Sequence, residues 1–228
     1  MSTMQSNKIQ VAVLGATGSV GQRFVQLLDG HPWFEVVALT GSERSRGKKY
    51  HEYCHWILSD PMPDWAKNLV IQSSDPEITK VPLVFSALPA KAALEIEPLY
   101  AQAGVAVCTN AGAYRREKDV PILLPEINPD HTMLVDSQRQ HRGWSGLIVT
   151  NPNCTTTGVS IVLKILNAKF GISKAFLVSL QALSGAGYPG VPSMDIQDNV
   201  IPYIEGEEGK LEWEPLKILG SLKDGILN

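Results

Sequence analysis

A parallel, doubly wound α/β sheet is the architecture this sequence predicts for residues 1–152. Short apolar runs alternate there with stretches of helical spacing. The first run opens into a glycine-rich loop, and an amphipathic segment follows at once. Beyond about residue 152 the texture changes to a long strand-like run and a loop rich in Gly and Pro. Residues 153–228 are therefore expected to begin a second unit of α+β type, built on a longer, mixed sheet. That unit reads as incomplete, because the end, ILGSLKDGILN, supplies no capped helix or closing strand.

Residues 9–14, IQVAVL, end at Gly15 and read as a buried strand. QRFVQLLDG has apolar residues at helical spacing and stops at Gly30. FEVVALT (34–40), LVIQSS (69–74) and VPLVFSALP (81–89) are the next expected strands. Residues 91–103, rich in Ala and Leu and ending at Gly104, predict a helix. VAVCTN and PILLPEI follow as a fifth and a sixth strand. GLIVTNPNC is another apolar strand, broken by Pro152, and TTGVSIVLKILNAKFG predicts an amphipathic helix. KAFLVSLQALSGAG then reads as a long strand ahead of the loop GYPGVPSMD.

The bulk numbers narrow the partners. The chain has 228 residues and a net charge of −3, which gives no reason to expect nucleic acid or an anionic membrane. No run reaches the ~18 apolar residues of a membrane span, and MSTMQSNKIQ lacks a signal-type apolar core. Three cysteines without C-x-x-C spacing argue against a disulfide framework and for a reducing, cytoplasmic setting.

Gly15, Gly18 and Gly21 give G-x-x-G-x-x-G between a strand and a helix. Glycines let the backbone turn tightly and approach a pyrophosphate, whose charge then sits on the helix N-terminus. Gly15, Thr17, Gly18, Ser19 and Val20 are thus candidate cofactor contacts, against the plainer reading of a tight turn without ligand. The second strand ends in LTGSERSRGKK rather than in the Asp or Glu usual for NAD. Ser42, Arg44 and Ser45 suit a 2′-phosphate, so NADP is the expected cofactor; the alternative is a solvated charged loop. Ser86 and Leu88 of SALP would allow close approach of the nicotinamide ribose.

His51 to His55, HEYCH, matches the H-E-x-x-H pattern of zinc hydrolases. A third ligand does not follow, and a catalytic zinc needs three, so no metal is expected and the segment reads as a surface helix with one aromatic face.

Cys154 lies behind Asn-Pro-Asn at the first turn of an expected helix. The positive end of a helix dipole favours thiolate, although a buried inert cysteine is an equally ordinary occupant. Its place after a strand of a nucleotide-type sheet, on the ligand side, favours a nucleophile. QALSGAGY supplies a second Gly-rich loop able to close over it. A thiolate beside a nicotinamide suggests exchange between an aldehyde and an acyl group through a thioester.

GATGSVG, SERSRGKKY, SALP, NAGAYR, LLPEINPDH, NPNCTTTG, QALSGAGYPG and IPYIEGEEGK occur in one order. Together they resemble the aspartate-β-semialdehyde dehydrogenases of archaea and fungi. The resemblance implies a Rossmann-type domain followed by a catalytic and dimerisation domain. It also implies NADPH-dependent reduction of 4-aspartyl phosphate with release of phosphate, on the route to lysine, threonine and methionine. Cys154 would be the nucleophile and Gln181 the residue positioning the acyl group. Arg115 and Asn153 would contact phosphate, and Glu207 and Lys210 would bind the substrate's amino and phosphate groups. Ser184 and Gly185 would lie on the nicotinamide side. A homodimer or homotetramer is implied for a full-length chain. The family's acid/base histidine follows the cysteine, whereas His31, His51, His55, His131 and His141 all precede Cys154. The sequence is therefore expected to stop partway through the enzyme and to be impaired alone. An acyl-CoA reductase such as malonyl-CoA reductase, and a non-catalytic NADP-binding module, are the competing readings.

Overall fold

The computed structural model describes residues 8–223 and 226–227. The chain runs β1 (Ile9–Leu14), α1 (Ser19–Leu27), β2 (Phe34–Leu39), then the single turns α2 (Tyr50–Tyr53), α3 (Asp64–Lys67) and α4 (Pro76–Thr79). β3 (Leu83–Ser86), α5 (Ala90–Gln102) and β4 (Ala106–Thr109) follow. A 3₁₀ turn (Pro129–Met133) leads into α6 (Leu134–Arg142), β5 (Leu147–Thr150) and α7 (Cys154–Phe170). After a second 3₁₀ turn (Leu183–Ala186) come α8 (Ser193–Ile196), α9 (Glu207–Leu219) and a two-residue hairpin, β6 (Leu222–Lys223) with β7 (Ile226–Leu227).

The five strands β1 to β5 form one parallel sheet in the order β2-β1-β3-β4-β5. Helices cover both faces, as the alternation of buried side chains requires. Leu14, Val84, Val107 and Ile148 point to one face and pack with Tyr100, Ala101, Tyr114 and Trp144. Val11, Val13 and Leu39 point to the other and pack with Val25, Leu28, Tyr50 and Ile71. Each fully buried side chain of this size contributes roughly 1.5–3 kcal/mol, so the two clusters hold the sheet. A third cluster of Ile122, Leu124, Ile127 and Ile218 docks α9 onto the segment before α6.

Three expected strands do not form. In 69–74, Gln72 bridges Thr40 and Val70 bridges Lys49, but no ladder develops. This segment turns across the edge of β2, with Ile71 buried in the core and Leu69 packed against it. In 121–127 only Ile122 bridges, to Thr150; Pro121 and Pro125 remove donors a ladder would need. The run 174–187 pairs with no described strand. Its alternation is that of a sheet strand, yet Phe176, Val178 and Leu180 are 93%, 80% and 90% exposed. Without a neighbouring ladder the extended backbone has no strand hydrogen bonds to complete. The HEYCH helix is a single turn, because Cys54 already has extended backbone.

Candidate active site

Register brings the working loops to one edge. Leu14 pairs with Ser86, Ser86 with Thr109, and Thr109 with Thr150, so β1, β3, β4 and β5 end in one row. The loops that follow begin at Gly15, Ala87, Asn110 and Asn151. Between β2 on one side of β1 and β3 on the other lies the switch point, where open α/β sheets bind ligands.

Gly15 adopts φ +71°, and a Cβ there would lie 2.9 Å from the Ala87 carbonyl. A Cβ on Gly21 would lie 2.3 Å from the Gly15 carbonyl and 2.6 Å from Ala16 Cα, so α1 can sit this close to the loop only with glycine. Gly18 is different: its nearest neighbour would be 3.6 Å away, and it stands exposed at the start of α1. The first-turn N–H groups of Ser19 and Val20 have no intrahelical acceptor and are available to an anion. The loop is braced from behind. Tyr50 donates its hydroxyl to Ala16 O at 2.7 Å, and Gln22 Nε2 donates to Thr17 O and His55 O.

At the far end of the same edge, Asn153 caps α7. Its Oδ1 accepts the N–H groups of Thr155 (2.9 Å) and Thr156 (3.2 Å), which leaves Cys154 as the first residue of a 17-residue helix. Cys154 is exposed, whereas Cys54 is buried and Cys108 is partly so. A cleft of about 720 Å³ is lined by Asn110, Arg115, Asn153, Cys154, Thr157 and Lys210, and reaches Val20 and Ala90 on the nucleotide side.

Lys210 of α9 lines this cleft, and the same helical face packs against residues behind it. Glu207, Lys210, Glu214 and Lys217 recur at i, i+3, i+7 and i+10, the spacing of a single helical face. Glu207 accepts from Gln181 Nε2 (3.1 Å), Thr155 Oγ1 (3.3 Å) and Lys210 Nζ (3.3 Å). Burial pushes the Glu207 carboxyl up, but donors from Gln181, Asn153 and Lys210 outweigh it and hold it below its ordinary value. Glu214 is fully buried and accepts from Arg115 Nη1 at 2.9 Å and from the Asn153 N–H at 2.7 Å. Arg115 also donates Nη2 to Asn110 O at 2.9 Å. Its Nε is buried and has no partner among the described residues. Lys217 donates to the carbonyls of Arg115, Glu117 and Val120 at 2.6–2.7 Å.

The model for the semialdehyde dehydrogenase NAD binding domain matches residues 10–134, more than half of the chain, and that for the semialdehyde dehydrogenase dimerisation domain matches 163–227. The chain belongs to the semialdehyde dehydrogenase family. It is 53% identical over 213 residues to an aspartate-semialdehyde dehydrogenase of Archaeoglobus fulgidus, covering 93% of this chain and 62% of that one. With the enzyme of the same name from Methanothermobacter thermautotrophicus the identity is 46% over 220 residues, covering 96% and 63%. The crystal structure of aspartate semialdehyde dehydrogenase with NADP from Candida albicans superposes with a TM-score of 0.84 at 43% identity, covering 96% of this chain and 63% of that one. The chain thus spans less than two thirds of the length of these relatives.

Among the residues singled out from sequence, Cys154, Asn153, Arg115 and Lys210 line one cleft, and Gln181 joins it through Glu207. Val20 lies at its nucleotide end. Ser42 and Arg44 stand exposed past the end of β2. Ser45 is buried and its hydroxyl donates to Ser42 O at 2.7 Å, so it shapes the loop instead of offering a free donor. Ser86 is likewise buried, its hydroxyl donated to Glu97 at 2.7 Å, and Leu88 packs on the core; both can offer main chain. Ser184 and Gly185 lie in the exposed second 3₁₀ turn, outside the cleft lining. His51 and His55 do not share a helical turn: His51 Nδ1 meets Lys67 O, and the His55 ring faces Tyr188. Glu214 and Lys217 were missed, though their spacing from Glu207 and Lys210 was a legible signal.

Proposed function

We propose that this chain is an NADP-dependent aspartate-semialdehyde dehydrogenase, acting on 4-aspartyl phosphate in the synthesis of lysine, threonine and methionine. The observation that carries the reading is Cys154. It is exposed at the first position of α7, in a cleft shared with Arg115, Asn153 and Lys210 that runs to the glycine loop. Here a soft nucleophile, an anion anchor and a nucleotide cradle meet.

Arg115 would hold the phosphate of the acyl phosphate through its planar fork, whose buried Nε is unpartnered among the described residues. Lys210 would add a second positive charge, and Glu207 would accept the substrate ammonium while fixing Gln181. Cys154 Sγ attacks the acyl carbon as thiolate, a carbon–sulfur bond forms, the carbon–oxygen bond to phosphate breaks, and phosphate leaves. Bound NADPH would supply the hydride that converts the thioester to the aldehyde, with the sulfur leaving as thiolate. The cradle made by Gly15, Gly18 and Gly21 fits a pyrophosphate, because Gly18 is open where a Cβ would intrude on one. Ser42 and Arg44 past β2 favour a 2′-phosphate, and the Candida albicans relative was crystallised with NADP. Three free cysteines suit a cytoplasmic setting, and the match to a dimerisation domain supports a homodimer or homotetramer.

The test is acyl transfer without cofactor. Incubation with 4-aspartyl phosphate should leave an aspartyl adduct on Cys154, seen by mass spectrometry and removed by hydroxylamine. Glycine-loop substitutions should spare this adduct, and Cys154→Ser should abolish it. An adduct from malonyl-CoA and none from aspartyl phosphate would overturn the substrate assignment.

A further inference from the structure

We propose that Glu214 and Lys217 are positioning residues that clamp Arg115 at both ends and tie it to the start of the nucleophile helix. The inference rests on the reading of Arg115 as the anion anchor beside Cys154. Glu214 Oε1 takes the guanidinium at 2.9 Å, while Lys217, one helical turn further along α9, takes the main-chain carbonyl of the same arginine at 2.7 Å. The second oxygen of Glu214 accepts the N–H of Asn153, the residue before Cys154, at 2.7 Å. One fully buried carboxylate therefore connects the two groups that an acyl phosphate must touch at once. All three ammonium protons of Lys217 are spent on carbonyls between residues 115 and 120, which fixes the loop carrying the arginine.

A flexible arginine would lose rotamer freedom on binding an anion; a clamped one has lost it already. A carboxylate beside Arg115 has an opposing effect, because its negative charge repels an incoming anion. The two effects predict opposite signs when the charge is removed, and this separates a positioning role from a merely electrostatic one.

The experiment measures the inorganic phosphate concentration that half-protects Cys154 from iodoacetamide, read by peptide mass spectrometry. Glu214→Gln should raise that concentration about tenfold although it removes a negative charge, and Lys217→Met should raise it by a similar factor. Glu214→Gln combined with Arg115→Ala should be no worse than Arg115→Ala alone, the sign of coupling through the arginine. Protection that is unchanged or stronger in Glu214→Gln, or effects that add in the double variant, would overturn the proposal. Should Glu214→Gln not fold, Lys217→Met decides by itself, since its contacts are to main chain only. If Arg115→Ala leaves protection by phosphate intact, the anchor reading fails first and the clamp falls with it.

Discussion

Tyr50 donates its hydroxyl to the carbonyl oxygen of Ala16 across 2.7 Å, with the phenol fully buried. The tyrosine just ahead of the HEYCH segment thus serves as a strut beneath the glycine loop. Burial, the larger cause, and the neighbouring Cys54 push the phenol up, so it remains a donor throughout the accessible pH range. Tyr50→Phe should cost about 1 kcal/mol in thermal unfolding, the usual worth of one such bond. It should also weaken NADP binding severalfold in a fluorescence titration. Binding equal to that of the parent chain would show that the loop holds its shape unaided.

Gly18 and Gly21 should separate cofactor binding from folding. Alanine at Gly21 has no room, with Gly15 O at 2.3 Å, so unfolding should become easier by ~2 kcal/mol or more. Alanine at Gly18 meets its nearest neighbour at 3.6 Å and should leave the melting temperature nearly unchanged. NADP affinity should nevertheless fall at least about tenfold in Gly18→Ala, since the added methyl stands where a pyrophosphate would approach. Equal affinities for parent and Gly18→Ala would remove the phosphate cradle from this loop.

Glu97 lies fully buried beneath the row of strand ends, accepting the hydroxyls of Ser86 (2.7 Å) and Thr109 (2.5 Å). Burial raises its carboxyl, with the two hydroxyl donors pulling the other way. The sign follows from linkage: the unfolded chain releases this proton at the ordinary value and the fold retains it to higher pH. Wild-type stability should fall as pH rises from that ordinary value towards the raised one. Glu97→Gln cannot ionise, so its melting temperature should lack this fall and gain on the parent as pH increases. Parallel curves for the two proteins would show that Glu97 is charged in the fold. Glu97→Ala strands two buried hydroxyls and opens a cavity, for a loss of about 2–4 kcal/mol.

The three thiols should differ sharply in reactivity. Burial pushes the Cys108 thiol up to about 11 and raises Cys54 as well, whereas Cys154 is exposed at a helix N-terminus. Iodoacetamide at pH 8 should label Cys154 at least about tenfold faster than either of the others, measured by peptide mapping. Comparable labelling of all three would remove the special environment claimed for it.

How much of this was legible follows from what each signal depends on. β1, α1, β5 and α7 were readable because periodicity and flanking Gly or Pro act within a few residues. The place of Cys154 at the start of a helix was readable because the Asn-Pro-Asn cap is local too. The runs at 69–74, 121–127 and 174–187 have strand composition, but pairing depends on distant neighbours that composition does not report. Ser45 reads as a hydroxyl for a 2′-phosphate and Ser86 as a small residue allowing close approach, and only the fold reveals their partners in Ser42 O and Glu97. Glu214 was not singled out, because its burial requires Arg115, 99 positions earlier in the chain.

The common row of strand ends turns strand length into a ruler. Deleting a single residue within β4 would draw the Arg115 loop back by roughly 3.3 Å and invert the facing of every side chain beyond the cut. Side chains in the loops on this edge can be exchanged without shifting the row, but the strands beneath them are metered to the residue. Any redesign of the pocket in this scaffold should therefore edit the connections and leave the strand counts untouched.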